Sequence, residues 1–408
     1  MEDRQLYETI LGLADPWYVE RVELGPEEEE VRVYVELAEG VTLRCPECGE
    51  PSPGYDRSPE RRWRHLDTCQ YRTLLVARVP RVRCAEHGVR QIRVPWAEGQ
   101  SRFTALFEAL AIRFLRETTV SGLGELMGLS WDEAEGILKR AVARGLKRRD
   151  LEPLRFVGVD ETSFKKRHEY VTVVADLERD RVVWVGDHRR QGTLETYWEG
   201  LTAEQREAVE EVVMDMWDPY IAATEAWVPE GESKIVFDRY HVVQHLNRAV
   251  DEVRRQENRR LREAEDERLK GTKYLWLKGR KRRTRKDLLA IRELSRSGLK
   301  VGRAWAIKEA ASKLWNYRSP TWAAKYFRQW YYWATHSRLP AVIRVAKMMK
   351  KYFAGILAYL RHRHTNALTE ALNAKIQEIK YRARGYRSRD NFRRAILFHC
   401  GDLEMNPR

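Results

Sequence analysis

Residues 155–161 read Arg-Phe-Val-Gly-Val-Asp-Glu and residues 209–216 read Val-Glu-Glu-Val-Val-Met-Asp-Met, two short apolar runs each ended by an aspartate, Asp160 and Asp215. Runs of this length suit strands buried in a sheet, and a carboxylate at the end of such a strand is carried on a rigid frame. A third acid, Glu370, lies in the helical stretch Thr369-Glu370-Ala371-Leu372-Asn373. Hard divalent cations take oxygen ligands, and a cleaved phosphodiester needs positive charge on both its attacking and its leaving oxygen. In a chain with 61 acidic residues any one of these positions is commonplace, so the weight lies in their combination with the features described next. Two other aspartates compete for the second place: Asp218, one helical turn beyond Asp215, and Asp238, which ends Lys234-Ile235-Val236-Phe237. Asp215 is preferred because its strand can pair beside the one ending in Asp160. Asp238, with Arg239, Tyr240 and His241, reads as support for the site. Glu161 should point to the opposite face of a continuing strand and is the poorer ligand. Asn373 shares the helix face of Glu370.

Around these acids, residues 155–160, 170–177, 181–187, 209–215 and 234–238 read as five strands, with a helical interval near 193–208. Val171, Val173 and Val174, then Val182, Val183 and Val185, give two of them their β character, and Asp180-Arg181 suits a hairpin between them. A mixed sheet flanked by helices follows. After His241 the pattern turns helical and highly charged to about Arg296, then aromatic, with Trp305, Trp315, Trp322, Trp330 and Trp333. The sheet domain must accommodate this stretch as an insertion. Residues 273–286 hold Lys273, Lys278, Arg280, Lys281, Arg282, Arg283, Arg285 and Lys286 and no acid, interleaved with Tyr274 and Trp276. Such a run suits a clamp on a nucleic-acid backbone without sequence preference. The later tryptophans read as helical core.

Toward the N-terminus, residues 31–37 alternate apolar and polar, and 71–83 do so less regularly, the period of half-buried strands. Cys45-Pro46-Glu47-Cys48 and Cys84-Ala85-Glu86-His87 then offer three thiolates and one imidazole from turns linked to those strands. That donor set closes a tetrahedral structural zinc site with no vacant position. Cys69 and Cys400 have no close partner and read as buried small apolar groups. From Arg102 to Gly145 the pattern is helical, broken at Gly128-Leu129. Ser130 and Glu133 form a capping box, after which Ala134, Ile137, Leu138, Ala141 and Val142 line one face. The second helix carries Trp131, Lys139, Arg140 and Arg144 away from that face, where a major-groove reader keeps its contacts.

Charge supports a polyanionic partner. The net charge is +14, yet residues 1–40 carry 3 basic and 12 acidic side chains, leaving 72 basic against 49 acidic in the remainder. No apolar run reaches the ~18 residues of a spanning helix, and the opening residues do not resemble a secretory signal, so a cytoplasmic location is expected, associated with the nucleoid when on DNA. Five cysteines in such a chain favour metal binding or free thiols over disulfides.

The order of motifs resembles the DDE transposases of bacterial insertion sequences. It runs Val157-Gly158-Val159-Asp160-Glu161, Val213-Met214-Asp215-Met216, Phe237-Asp238-Arg239-Tyr240-His241, then Thr369 to Asn373 with Lys380-Tyr381-Arg382-Ala383-Arg384-Gly385-Tyr386 and Asn391-Phe392. The ISL-three lineage, which also begins with a cysteine-rich zinc module and a helix-turn-helix, is the nearest, although His87 stands where many relatives carry cysteine. The resemblance implies a multidomain α+β chain whose RNase H-like catalytic domain is interrupted by a large α-helical insertion. The expected organisation is a strand region with a zinc-ribbon-like module at 1–98, a helix-turn-helix domain at 99–150, the first part of the catalytic core at 151–241, the helical insertion at 242–364 and the C-terminal core helices at 365–408. It further implies metal ligation by Asp160, Asp215 and Glu370, with two Mg²⁺ or Mn²⁺ ions about 3.5–4 Å apart. Nicking at transposon ends and attack of the freed 3′-hydroxyl on target DNA follow, by a dimer on double-stranded DNA. The competing functions are a non-catalytic zinc and helix-turn-helix DNA-binding regulator, and an RNase H-like nuclease that never joins strands.

Overall fold

The computed structural model describes residues 3–149, 152–165, 169–237, 239–279, 282–362 and 367–407, with the side chains of 361–370 also outside the described residues. The chain divides into two compact units, Met1–Asp150 with Leu403–Arg408, and Leu151–Asp402.

In the first unit, helix α1 (Asp3–Leu11) precedes strands β1 (Trp17–Gly25), β2 (Glu30–Leu37), β3 (Gly54–Arg57), β4 (Arg61–Arg64), β5 (Arg72–Ala77), β6 (Pro80–Cys84) and β7 (Gly88–Gln91). One sheet has the order β1-β2-β5-β4 and a second the order β3-β6-β7. The alternation of β2 turns Val31, Val33, Val35 and Leu37 inward, where Trp96 meets Trp17 and Trp63 edge-on at 4.9 and 5.4 Å. The stretch 71–83, one strand-like pattern in the sequence, is split between the two sheets at Arg78-Val79. Pro80, which has no N–H to donate, fits there as the first residue of the new strand.

Helices α2 (Ala105–Glu117), α3 (Val120–Met127) and α4 (Trp131–Arg148) follow. Gly128 closes α3 in the left-handed region at φ 62°, and the Ser130–Glu133 capping box opens α4. Ala134, Ile137, Leu138, Ala141 and Val142 form its buried face. The C-terminal residues Leu403 and Met405 are buried in this unit too, and Leu403 lies so near Gly145 that a Cβ there would meet it at 2.6 Å.

In the second unit, β8 (Phe156–Lys165), β9 (Glu169–Asp176), β10 (Arg181–Asp187), β11 (Glu211–Met214) and β12 (Ile235–Phe237) form one sheet in the order β10-β9-β8-β11-β12. The first three are antiparallel neighbours, with Asp180 at φ 50° in the β9–β10 turn, whereas β11 runs parallel to both β8 and β12. This is the mixed sheet that the five strand-like runs implied. β8 runs past Asp160 because Glu161 to Lys165 pair with Thr172 to Glu169, although Phe164 alone is apolar in that stretch. Helices α5 (Gln191–Glu199) and α6 (Ala203–Glu207) fill the expected helical interval, and α7 (Asp218–Trp227) and α8 (Gly231–Lys234) lead to β12.

The insertion is helical: α9 (Arg239–Glu263), α10 (Lys273–Leu277), α11 (Arg285–Arg296), α12 (Lys300–Ala311), α13 (Pro320–Thr335), α14 (Pro340–Lys351) and α15 (Phe353–His362). Its aromatic residues divide: Trp276, Trp315 and Trp330 are buried in the core, whereas Trp322 and Trp333 are exposed. Helices α16 (Ala367–Arg382) and α17 (Arg389–Cys400) return to the sheet, with Phe392 packing at 5.8 Å from Phe164 of β8.

Candidate active site and zinc centre

β8 and β11 bring two of the three expected carboxylates together. β11 pairs with β8 only as far as Val213 opposite Gly158, so Asp160 and Asp215 both stand just past the last paired residues. Ligand oxygens of Asp160, Glu161 and Asp215 all lie within 4.8 Å of one another. Glu161, set aside in the sequence as facing the other way, therefore belongs to the cluster. β11 stops pairing with β8 at Gly158, so the edge of β8 beside Asp160 and Glu161 is not covered by that strand.

Each acid has distinct support. Asn373 Nδ2 donates to Asp160 Oδ2 at 2.5 Å, and the backbone N–H of Glu161 to Asp160 Oδ1 at 2.7 Å. His241 Nε2 lies 2.7 Å from Asp215 Oδ1, and Arg189 Nη1 lies 2.8 Å from Glu161 Oε1 while its guanidinium stacks on Trp217 at 4.1 Å. Burial, and next the charge of Asp215, push the Asp160 carboxyl up to about 6. Burial pushes Glu161 up to about 7 against the pull of Arg189. Glu161 Oε2 is buried with no hydrogen-bond partner. Converging, incompletely neutralised oxygens of this kind fit a hard divalent cation.

These acids border a cleft of about 540 Å³ whose other wall is α9, through Tyr240, His241, Gln244, His245 and Arg248. Burial, and then Arg248, hold His245 below the usual imidazole range. Opposite, α16 is registered on β8: Asn373, Gln377 and Lys380, at helical spacing, bond Asp160, Thr162 and Ser163 in turn. Glu370 belongs to α16, three residues before Asn373, and its side chain lies outside the described residues. Of the rival aspartates, Asp218 accepts from Lys351 Nζ at 2.7 Å and Tyr352 Oη at 2.6 Å, and Asp238 lies outside the described residues.

In the first unit, ligand atoms of Cys45, Cys48, Cys84 and His87 lie within 4.8 Å of one another. Cys48 Sγ and Cys84 Sγ are 3.7 Å apart, and Cys84 Sγ is 3.6 Å from His87 Nδ1. A tetrahedral zinc with ordinary Zn–S and Zn–N lengths has edges of about 3.8 and 3.6 Å. The His87 backbone N–H, and then its ring, draw the Cys84 thiol down to about 6. The donor set and spacing are those of a closed structural zinc site.

Several residues assigned to DNA contact have other partners. Arg140 Nη2 and Arg144 Nη2 bind the two oxygens of Glu108 at 2.7 and 2.8 Å, and Glu108 is 2 % exposed. Arg144 also binds Glu98 at 2.6 Å and donates to the Met405 carbonyl. A buried carboxylate on α2 draws these arginines inward, so Arg144 in particular is part of the fold, whereas Trp131 and Lys139 are exposed. In the basic run, Arg283 is 3 % exposed and bonded to Glu309 at 2.6 Å, and Lys278 pairs with Asp287. Trp276 is fully buried. The compensating acids come from outside the run, which is why it reads as uncompensated. Arg282, Arg285, Lys286 and Tyr274 are exposed, and Arg280 and Lys281 lie outside the described residues. Among the described residues no helix is long and apolar enough to cross a membrane.

Comparison with known families matches residues 157–396 to the ISL3 family described as transposase. Residues 42–87 match the zinc-finger of transposase IS204/IS1001/IS1096/IS1165, and residues 92–142 the helix-turn-helix domain of transposase family ISL3. A transposase for insertion sequence element IS1001 from Bordetella parapertussis is 29% identical over 398 residues, 96% of this chain and 97% of that protein. A transposase for insertion sequence element IS1557 from Mycobacterium tuberculosis is 27% identical over 417 residues, 95% of this chain and 93% of that protein. The family match over residues 157–396 and relatives spanning nearly the whole chain place the protein in the class of DNA-transposing enzymes. The chain belongs to the ISL3 family of insertion-sequence transposases.

Proposed function

We propose that Asp160, Asp215 and Glu370 are the catalytic carboxylates of a DNA strand-cleaving and strand-joining reaction. The observation that carries this reading is the convergence of Asp160, Glu161 and Asp215 oxygens at the end of the β8–β11 pair. Glu370 is taken as the third carboxylate because its position in α16 is one helical turn before Asn373, whose side chain touches Asp160. Mg²⁺ or Mn²⁺, held by Asp160, Asp215 and Glu370 with Glu161 in reach, would supply Lewis-acid stabilisation of the oxygens that gain charge. His241 orients Asp215 and Asn373 orients Asp160. Arg248 offers a guanidinium to the phosphate on the other wall of the cleft. No covalent enzyme intermediate is required.

Exposed Trp131 and Lys139 on α4, and Arg282, Arg285 and Lys286 near α11, are the proposed contacts to transposon-end and target DNA. A dimer pairing two ends is the proposed assembly. Mg²⁺-dependent nicking of duplex carrying the element's inverted ends tests the catalytic reading. Glu370→Gln is expected to abolish nicking and spare end binding, and wild-type nicking by that variant would refute the assignment. Joined product from pre-cleaved ends distinguishes a transposase from a nuclease of the same fold.

A further inference from the structure

We propose that the solvent face of α9 is a phosphate rail that carries the substrate DNA strand into the catalytic cleft, an inference that rests on the strand-cleaving reading above. α9 runs unbroken from Arg239 to Glu263, and its first turns put His241, His245 and Arg248 in the cleft wall. At about 100° per residue, positions 7, 14, 18 and 21 beyond His241 return to within about 60° of its direction. Those positions are Arg248, Arg255, Arg259 and Arg262, and the last three are exposed.

The opposite face fixes this orientation. Val242, Leu246, Ala249, Val250 and Val253 are all buried, so the helix cannot turn its arginines inward. Three of the four acids on α9 are engaged elsewhere or shared. Asp251 binds Arg254 and Arg255, Glu252 binds Arg344 at 2.6 Å, and Glu257 accepts the backbone N–H groups of Lys300 and Val301 at the start of α12. A charged helix face is ordinarily just solvated. Here the stripe begins inside the cleft that holds Asp160 and Asp215 and extends about 31 Å at 1.5 Å per residue, close to one turn of duplex. That length and charge fit a DNA backbone better than a small anion.

The experiment uses the full-length protein and duplex carrying an inverted end. Neutralising the rail in Arg255→Gln/Arg259→Gln/Arg262→Gln is expected to make the slope of log Kobs against log salt shallower by about 2.7, roughly 0.9 for each lost phosphate contact. A photo-crosslinking amino acid at position 259 is expected to capture the substrate strand about eight nucleotides from the scissile phosphate, from about 27 Å of helix at 3.4 Å per nucleotide. A slope equal to wild type, or no crosslink to that strand, overturns the rail. If the wild type nicks while either of those results is found, the rail alone fails. If the wild type does not nick, the catalytic reading fails and takes the rail with it.

Discussion

Asp160 and Glu161 are chain neighbours of the same charge whose oxygens, with those of Asp215, share one place. Without a cation both are costly to ionise, since burial raises them to about 6 and about 7 from reference values of 3.8 and 4.5. The folded protein therefore binds more protons than the unfolded chain between about pH 4 and 7, and its stability falls as pH rises through that window. Glu161→Gln removes part of that loss. In the absence of added divalent cation it is expected to be more stable than wild type at pH 7.5 by about 1–3 kcal/mol, read by thermal unfolding, with the difference vanishing near pH 4. Added Mg²⁺ should reverse the order, because only the wild type gains the full ligand set. An equal response of both proteins to Mg²⁺ would remove Glu161 from the site. Asp160 was legible because an apolar run ended on it. Glu161 was not, because strand alternation assigns faces but does not register that a neighbouring strand stops two residues short.

Helix α4 shows the same limit one level up. Its apolar face and capping box could be read directly, since both depend on residues within one turn of each other. The inward turn of Arg140 and Arg144 depends on Glu108, more than 30 positions earlier, and no pattern within α4 contains it. Glu108→Ala would leave the part-exposed Arg140 without its carboxylate and the largely buried Arg144 with Glu98 and the Met405 carbonyl alone, and is expected to cost about 1–3 kcal/mol in urea unfolding. A cost under about 1 kcal/mol would mean that the arginines find water instead. The zinc turns were legible because close ligand pairs announce themselves by spacing. Cys84→Ser is expected to lose bound zinc, read by metal analysis, and to weaken end binding, whereas His87→Cys should retain the metal. Full zinc content in His87→Ala would contradict the assigned fourth ligand.

At the scale of the whole molecule, the sequence disclosed the strands of the central sheet through their valines and the insertion through its change of composition. The basic run at 273–286 reads as uncompensated in the sequence, whereas Asp287 and Glu309 pair with Lys278 and Arg283 from outside it. The stripe on α9 was overlooked because Arg248, Arg255, Arg259 and Arg262 are separated in the sequence by up to seven positions and only the helix aligns them. The chain leaves the first unit at residue 150 and its last residues belong to that unit again. Gly145→Val, which puts a side chain into Leu403, is expected to destabilise that unit by about 1–3 kcal/mol, seen as an earlier thermal transition.

The account depends on distant acids sharing one cation that acts on DNA. Titrating Mn²⁺ into wild type and Asp215→Asn by electron paramagnetic resonance, with strand nicking followed on the same samples, tests it most directly. The variant is expected to bind Mn²⁺ at least about tenfold more weakly and to nick about 10²–10³-fold more slowly, a loss of about 3–4 kcal/mol. Wild-type Mn²⁺ affinity together with wild-type nicking in Asp215→Asn would contradict it.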